Sequence, residues 1–284
     1  MKRLLTIQDV SCVGQCSTTV ALPLVSACGV ECAVLPPAIL SNHTGFSAWT
    51  FLDLAGELPK VEAKWVEQGV RFDAFYTGYV CEGHIGPILS VMESCANPGA
   101  LRIVDPAMAD NGVLYAGFGA DFPSKMARLV EGADYVLPNL TEAALLVGED
   151  PFLFVGAGGG RARASQADVE RLVARLHGMG AKNVVLTGVA LEPGRLGTAT
   201  SDGRTVVYDS NPRLERMSHG TGDVFASVFA GAVVRGLPAP DAAALAADVV
   251  CEAIGATPPD HWYGVCFEKA IPGLVASLAS AGRP

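Results

Sequence analysis

Short apolar runs that each end in a polar residue alternate with helix-spaced segments along almost the whole chain. Strand-like runs stand at 3–8, 31–35, 73–77, 101–104, 135–137 and 183–186. Helical spacing occupies 17–27, 58–68, 85–95, 123–130, 141–146, 166–178, 224–235, 240–254 and 267–279. Strands separated by helices predict a mostly parallel, doubly wound α/β sheet with helices on both faces. Two further runs, 198–200 and 205–208, flank Ser201-Asp202-Gly203-Arg204 and predict a hairpin. Neither an internal repeat nor a separating linker is evident, so 1–284 reads as one domain. The glycines of 156–160 read as a surface connection. Arg161 stands where a dinucleotide fingerprint would need its last glycine.

Composition narrows the function classes. Of 284 residues 50% are hydrophobic and only 17% charged, enough apolar sequence for a large core. The net charge is −9 and the basic residues are scattered, which argues against a nucleic-acid partner. No apolar run reaches the ~18 residues of a membrane span, and Gln8 and Asp9 interrupt the first run too early for a signal peptide. The expected location is the cytoplasm. Eight cysteines form no Cys-x-x-Cys pair, so reduced thiols are expected rather than zinc.

In open α/β sheets, ligands sit beyond the carboxyl ends of the strands. The polar residues there are Asp9, Gly78-Tyr79, Asp105, Asn139 and Thr187. His219-Gly220-Thr221-Gly222-Asp223 precedes a long apolar helix. Its glycines free backbone N–H groups to converge at a helix start, where an anion is favoured. Asp223 directly behind them suits a proton acceptor beside a transferring phosphoryl group; the plainer reading is a helix cap. Asn139-Leu140-Thr141-Glu142 reads either as a capping box or as oxygen donors to Mg²⁺ through water. Asp105 and Asp110 are turn formers or a second source of such oxygen. No Walker A loop or protein-kinase signature occurs. Ser41-Asn42-His43-Thr44-Gly45-Phe46, near Trp49 and Phe51, combines polar donors with aromatics and suits a flat heteroaromatic ligand.

Together these segments resemble the ribokinase-like (PfkB) superfamily and, within it, the pyridoxal/pyridoxamine kinases. The resemblance rests on Thr6-Ile7-Gln8, Ser41 to Phe46, Thr77-Gly78-Tyr79, Val104-Asp105-Pro106, Pro138 to Glu142 and Gly220-Thr221-Gly222-Asp223. It implies a ribokinase-like fold with a small lid, usually a homodimer, and ATP-dependent phosphorylation of the 5′-hydroxymethyl group of a vitamin B6 vitamer. By similarity, Asp223 is the base, and the backbone of Gly220, Thr221 and Gly222 forms the anion hole. Asn139, Thr187 and Gly188 face the nucleotide, and Glu142, Asp105 and Asp110 lie on the metal side. Asp9, Cys16, His43, Thr44, Gly45 and Tyr79 surround the vitamer. ATP and Mg²⁺ are the implied cofactors, with a monovalent cation such as K⁺ left open. Asp9 departs from the serine that many pyridoxal kinases carry after Ile-Gln, which points toward pyridoxamine. His219 resembles some hydroxymethylpyrimidine kinases, so that substrate stays open, as does a non-catalytic vitamer-binding protein.

Overall fold

The computed structural model describes residues 1–155, 164–214 and 219–280. It divides into two compact units, 1–101 with 214–284, and 102–213. The glycine-rich segment 156–160 lies outside the described residues.

The first unit opens with β1 (Arg3–Ile7), β2 (Val10–Ser11), α1 (Thr18–Ala27), β3 (Glu31–Val34), β4 (Ala38–Leu40) and β5 (Phe51–Asp53). It continues with α2 (Leu58–Glu67), β6 (Phe72–Thr77), α3 (Glu82–Ser94) and the first part of β7 (Ala96–Val104). β1 pairs in parallel with both β3 and β6. Leu4, Leu5 and Ile7 of β1 are fully buried, so the strand reads as a continuous apolar run rather than an alternating one. Each such side chain contributes about 1.5–3 kcal/mol. A separate three-stranded sheet, β2-β4-β5, pairs Val10 with Ile39 and Ile39 with Leu52. The expected loop 41–46 connects its strands β4 and β5.

The second unit takes the end of β7, then β8 (Ala109–Asp110), β9 (Val113–Leu114), α4 (Phe122–Val130) and β10 (Tyr135–Val136). α5 (Leu140–Leu146), α6 (Gln166–Gly178), β11 (Val184–Val189), β12 (Arg195–Ser201) and β13 (Val206–Pro212) complete it. β7–β10 and β10–β11 are parallel, whereas β11–β12 and β12–β13 are antiparallel. The hairpin expected around Ser201–Arg204 is therefore present, with strands several residues longer than the sequence indicated. β7 is also longer than its apolar 101–104 segment, because Ala96 to Ala100 extend it without apolar patterning.

The chain returns to the first unit with α7 (Thr221–Arg235), α8 (Ala239–Ala256) and α9 (Ile271–Ser280). Every residue of α7 from Val224 to Val234 is buried, the signature of a helix apolar all round. The expected 267–279 helix is broken: Phe267–Lys269 form a 3-10 turn before α9. Pro23 sits inside α1 without ending it. The fold class is α/β, a mostly parallel sheet flanked by helices.

Candidate active site

In the first unit, the Gly220 turn forms because only glycine fits there. Gly220 caps α7 with φ 80°, and a Cβ at this position would stand 1.9 Å from the carbonyl oxygen of Gln15. Gly220 has no side chain with which to cap the helix, and a helix start favours an anion. Thr221 is partly buried, and Gly222 is exposed.

Asp223 lies in the first turn of α7, partly buried. Burial is the main cause that pushes its carboxyl up, to about 7; the Ser17 N–H bonded to it pulls the other way, and the charge of Asp9 pushes up again. Asp9, just beyond β1, is buried, and this too raises its carboxyl against hydrogen bonds from Ser17 and Ser11. The Ser11 hydroxyl donates to Asp9 Oδ2 at 2.8 Å. The Cys16 thiol, half-buried beside Ser11 and Ser17, is pushed up by burial and then by Asp223 and Asp9, which keeps it protonated. Asp9, Cys16 and Asp223 thus come together. Tyr79 joins them: its hydroxyl is bonded to the Cys81 thiol, and burial, then Cys81 and Asp9, push it up.

The 41–46 loop approaches the same turn. His43 is buried; Nε2 donates to the carbonyl oxygen of Tyr263 at 2.8 Å, while Nδ1 accepts the Gly45 N–H at 3.0 Å. These two bonds fix a neutral tautomer. Burial lowers its pKa, and His219, with its ring centroid 4.9 Å away, lowers it further. Thr44 and Gly45 are exposed. The Phe46 ring lies 4.6 Å from Trp262 and 6.1 Å from Tyr263. His261 bonds Gln15 Oε1 at 2.6 Å, and Gln15 Nε2 reaches Glu268 at 2.9 Å. The 261–263 segment, absent from the sequence-based candidates, forms an aromatic wall for this loop. Three consecutive rings after a Pro-Pro turn were the available signal. Ser17, just before α1, makes no side-chain cap and lies beside Asp9 and Asp223.

The remaining candidates lie in the second unit. Asn139 and Glu142 form a reciprocal capping box at α5: the Glu142 N–H donates to Asn139 Oδ1, and the Asn139 N–H to Glu142 Oε2, both at 2.9 Å. Glu142 Oε1 also accepts Met108 N–H at 3.1 Å and Ala109 N–H at 3.4 Å, and Asn139 Nδ2 donates to Ala109 O at 2.8 Å. Burial raises the Glu142 carboxyl; the three backbone donors oppose that, and Asp110 adds to it. Thr187 forms a parallel bridge with Asn139, and its N–H donates to Pro138 O at 2.9 Å. The strand bulges between Thr187 and Val189, where Gly188 takes φ 76°. Asp105 is buried and Asp110 exposed, the latter bonding Asn111 at the β8–β9 turn. Among the described residues no three His, Cys, Asp or Glu gather as direct ligands of one ion. Both oxygens of Glu142 already accept backbone N–H groups. The set therefore fits an Mg²⁺ reached through water better than an all-protein cage.

A family model described as phosphomethylpyrimidine kinase matches residues 26–264. The chain belongs to that family. It is 30% identical over 262 residues to a pyridoxal kinase of Rubrobacter xylanophilus, covering 87% of this chain and 84% of that protein. The solved pyridoxal kinase of Lactobacillus plantarum superposes with a TM-score of 0.87 at 31% identity, over 100% of both chains. A structure from Bacteroides thetaiotaomicron, assigned to the phosphomethylpyrimidine kinases and solved with pyridoxal, has a TM-score of 0.87 at 31% identity. It covers 96% of this chain and 95% of that one. The family membership agrees with the resemblance carried by the Asn-x-x-Glu and Gly-x-Gly-Asp segments.

Proposed function

We propose that this protein is an ATP-dependent pyridoxal kinase that phosphorylates the 5′-hydroxymethyl group of a vitamin B6 vitamer. The observation that carries this reading is the placement of Asp223. A carboxyl with its pKa pushed up to about 7 stands in the first turn of α7, directly after the Gly220-Thr221-Gly222 turn at that helix start. The loop bearing His43 and Gly45 packs on the residue before that turn. The named relatives, and the pyridoxal in the Bacteroides structure, support the substrate class.

In this reading, the vitamer hydroxyl oxygen attacks the γ-phosphorus of ATP, and the bond from that phosphorus to the ADP oxygen breaks. Asp223 accepts the hydroxyl proton as the new O–P bond forms. It does not remove the proton beforehand, because an alcohol is far too weak an acid. A carboxyl near 7 accepts that proton better than an ordinary aspartate would. The backbone N–H groups of Gly220, Thr221 and Gly222 face the charge that builds on the phosphoryl oxygens. Asp9, Cys16, His43, Thr44, Gly45 and Tyr79 bind and orient the vitamer. Asn139, Thr187 and Gly188 serve the nucleotide. Glu142, Asp105 and Asp110 would hold Mg²⁺, which would supply charge to offset that of the phosphates. A cytoplasmic homodimer, with 1–284 acting as one catalytic domain, belongs to the same proposal.

A coupled ADP-release assay with pyridoxal, pyridoxamine and hydroxymethylpyrimidine tests the reading. Turnover with a B6 vitamer is expected. Turnover confined to hydroxymethylpyrimidine, or absent with all three, would overturn it.

A further inference from the structure

Gln15 meets the Gly220 turn with its backbone and the 261–268 segment with its side chain. Its carbonyl oxygen fills the space that a Cβ on Gly220 would need, 1.9 Å from that position. The carbonyls on either side are held elsewhere. The Thr19 hydroxyl is shared between Cys16 O at 2.8 Å and Gly14 O at 3.2 Å, which anchors the 14–16 backbone to α1. The Gln15 carbonyl is left facing the turn. A turn built on glycine has no side chain of its own to hold it. Its position is therefore set by what packs on its backbone.

The side chain is held from three sides. Nε2 donates to both carboxylate oxygens of Glu268, at 2.9 and 3.0 Å. That fixes the sense of the amide, because only Nε2 can donate to a carboxylate. Oε1 then faces His261, whose Nε2 donates to it at 2.6 Å. Gly264 forms the seat. A Cβ there would stand 2.6 Å from Gln15 Cβ and 2.7 Å from Oε1. The φ of Gly264 is not positive, so the close approach of Gln15, rather than the backbone, calls for glycine. Two glycines thus make room for one residue, Gly220 for its carbonyl and Gly264 for its side chain. All of these groups lie in the first unit.

We propose that Gln15 is a positioning residue for phosphoryl transfer: gripped by His261, Gly264 and Glu268, it seats its carbonyl against Gly220 and so fixes the turn that faces the transferring group. This rests on the kinase reading, in which that turn stabilises developing charge. It gives the 261–268 segment a task beyond walling the 41–46 loop. A displacement of about 1 Å in such a donor set lowers a rate by about a hundredfold, so a modest loosening is measurable.

The test is a polarity swap in the full-length protein, with kcat and both KM values measured at pH 8 with pyridoxal and MgATP. Gln15→Glu keeps the size of the side chain but sets a carboxylate against that of Glu268. We expect kcat to fall about tenfold or more, with both KM values within about threefold of wild type. Adding Glu268→Gln restores the grip with its polarity reversed: the new amide donates to the new carboxylate, and His261 donates to its other oxygen. The double variant should recover kcat to within about threefold of wild type, a coupling that independent sites do not show. Glu268→Gln alone keeps an amide-to-amide bond and should cost less than Gln15→Glu. A kcat unchanged in Gln15→Glu would overturn the inference. So would a loss that Glu268→Gln fails to rescue, since the effect would then belong to the added charge. Should Gln15→Glu not fold, Gly264→Ala carries the test. Its Cβ must push Gln15 aside and lower kcat in the same way, and an unchanged kcat there has the same overturning force. Failure of the underlying reading looks different: the wild-type protein would then release no ADP with pyridoxal.

Discussion

Gly45 lies against the imidazole of His219: a Cβ at position 45 would stand 2.9 Å from both Cε1 and Nε2 of that ring, and 2.8 Å from Cε1 of His43. The 41–46 loop is therefore keyed by close contact to the residue preceding the Gly220 turn. Gly45→Ala must displace one ring or the loop. We expect kcat/KM for pyridoxal to fall about tenfold or more, with little change in the KM for ATP, in steady-state assays varying each substrate. An unchanged pyridoxal kcat/KM would show that this contact does not set the loop.

The turn itself should discriminate sharply between its two glycines. Gly220→Ala combines a φ of 80° with a Cβ 1.9 Å from the Gln15 carbonyl, and the backbone must move. Turnover is expected to fall about a hundredfold or more, as when a donor to developing charge is displaced. At Gly222 a Cβ meets nothing within 4 Å and φ is not positive. Gly222→Ala should hold its denaturation midpoint to within about 0.5 kcal/mol of wild type. Equal behaviour of the two variants would contradict this account of the turn.

Glu142 pins 108–109 to α5 through the Met108 and Ala109 N–H groups and also accepts the Asn139 N–H. Glu142→Ala leaves those donors without that partner, and the expected loss is about 2–4 kcal/mol in urea denaturation. A loss under about 0.5 kcal/mol would mean that water replaces the carboxylate at no cost.

His43 is expected to make stability fall on the acid side. Its folded pKa is lowered from 6.5, so the native state holds it neutral while the unfolded chain takes up a proton. Stability from this group is complete above about 6.5 and is lost as pH drops below it. Asp9 and Asp223, both raised, contribute the opposite slope, so the comparison must be between variants. The midpoint at pH 5.5 relative to that at pH 7.5 should be higher in His43→Asn than in wild type. An identical difference in both would remove His43 from the acid response.

Much of this arrangement was readable in the sequence because it depends on local physics. Apolar runs closed by Asp9, Gly78 and Asp105 mark strand ends, and Gly220-Thr221-Gly222-Asp223 marks a helix start whichever core lies beneath it. Asn139 and Glu142 were legible as a capping box because that bond spans three residues. The aromatic wall was not legible. Trp262 and Tyr263 meet Phe46 across more than two hundred residues, and no periodicity announces such a contact. Ser17 shows a related limit. A serine in its place before α1 ordinarily caps the helix, yet Ser17 does not, and only tertiary structure brings it beside Asp9 and Asp223.

The central claim is that Asp223 accepts the proton during phosphoryl transfer, and single-turnover and steady-state assays of Asp223→Asn with pyridoxal and MgATP test it most directly. The account predicts a kcat lower by about 10²–10⁴, with ATP binding changed only modestly. Turnover close to that of the wild-type protein would contradict it.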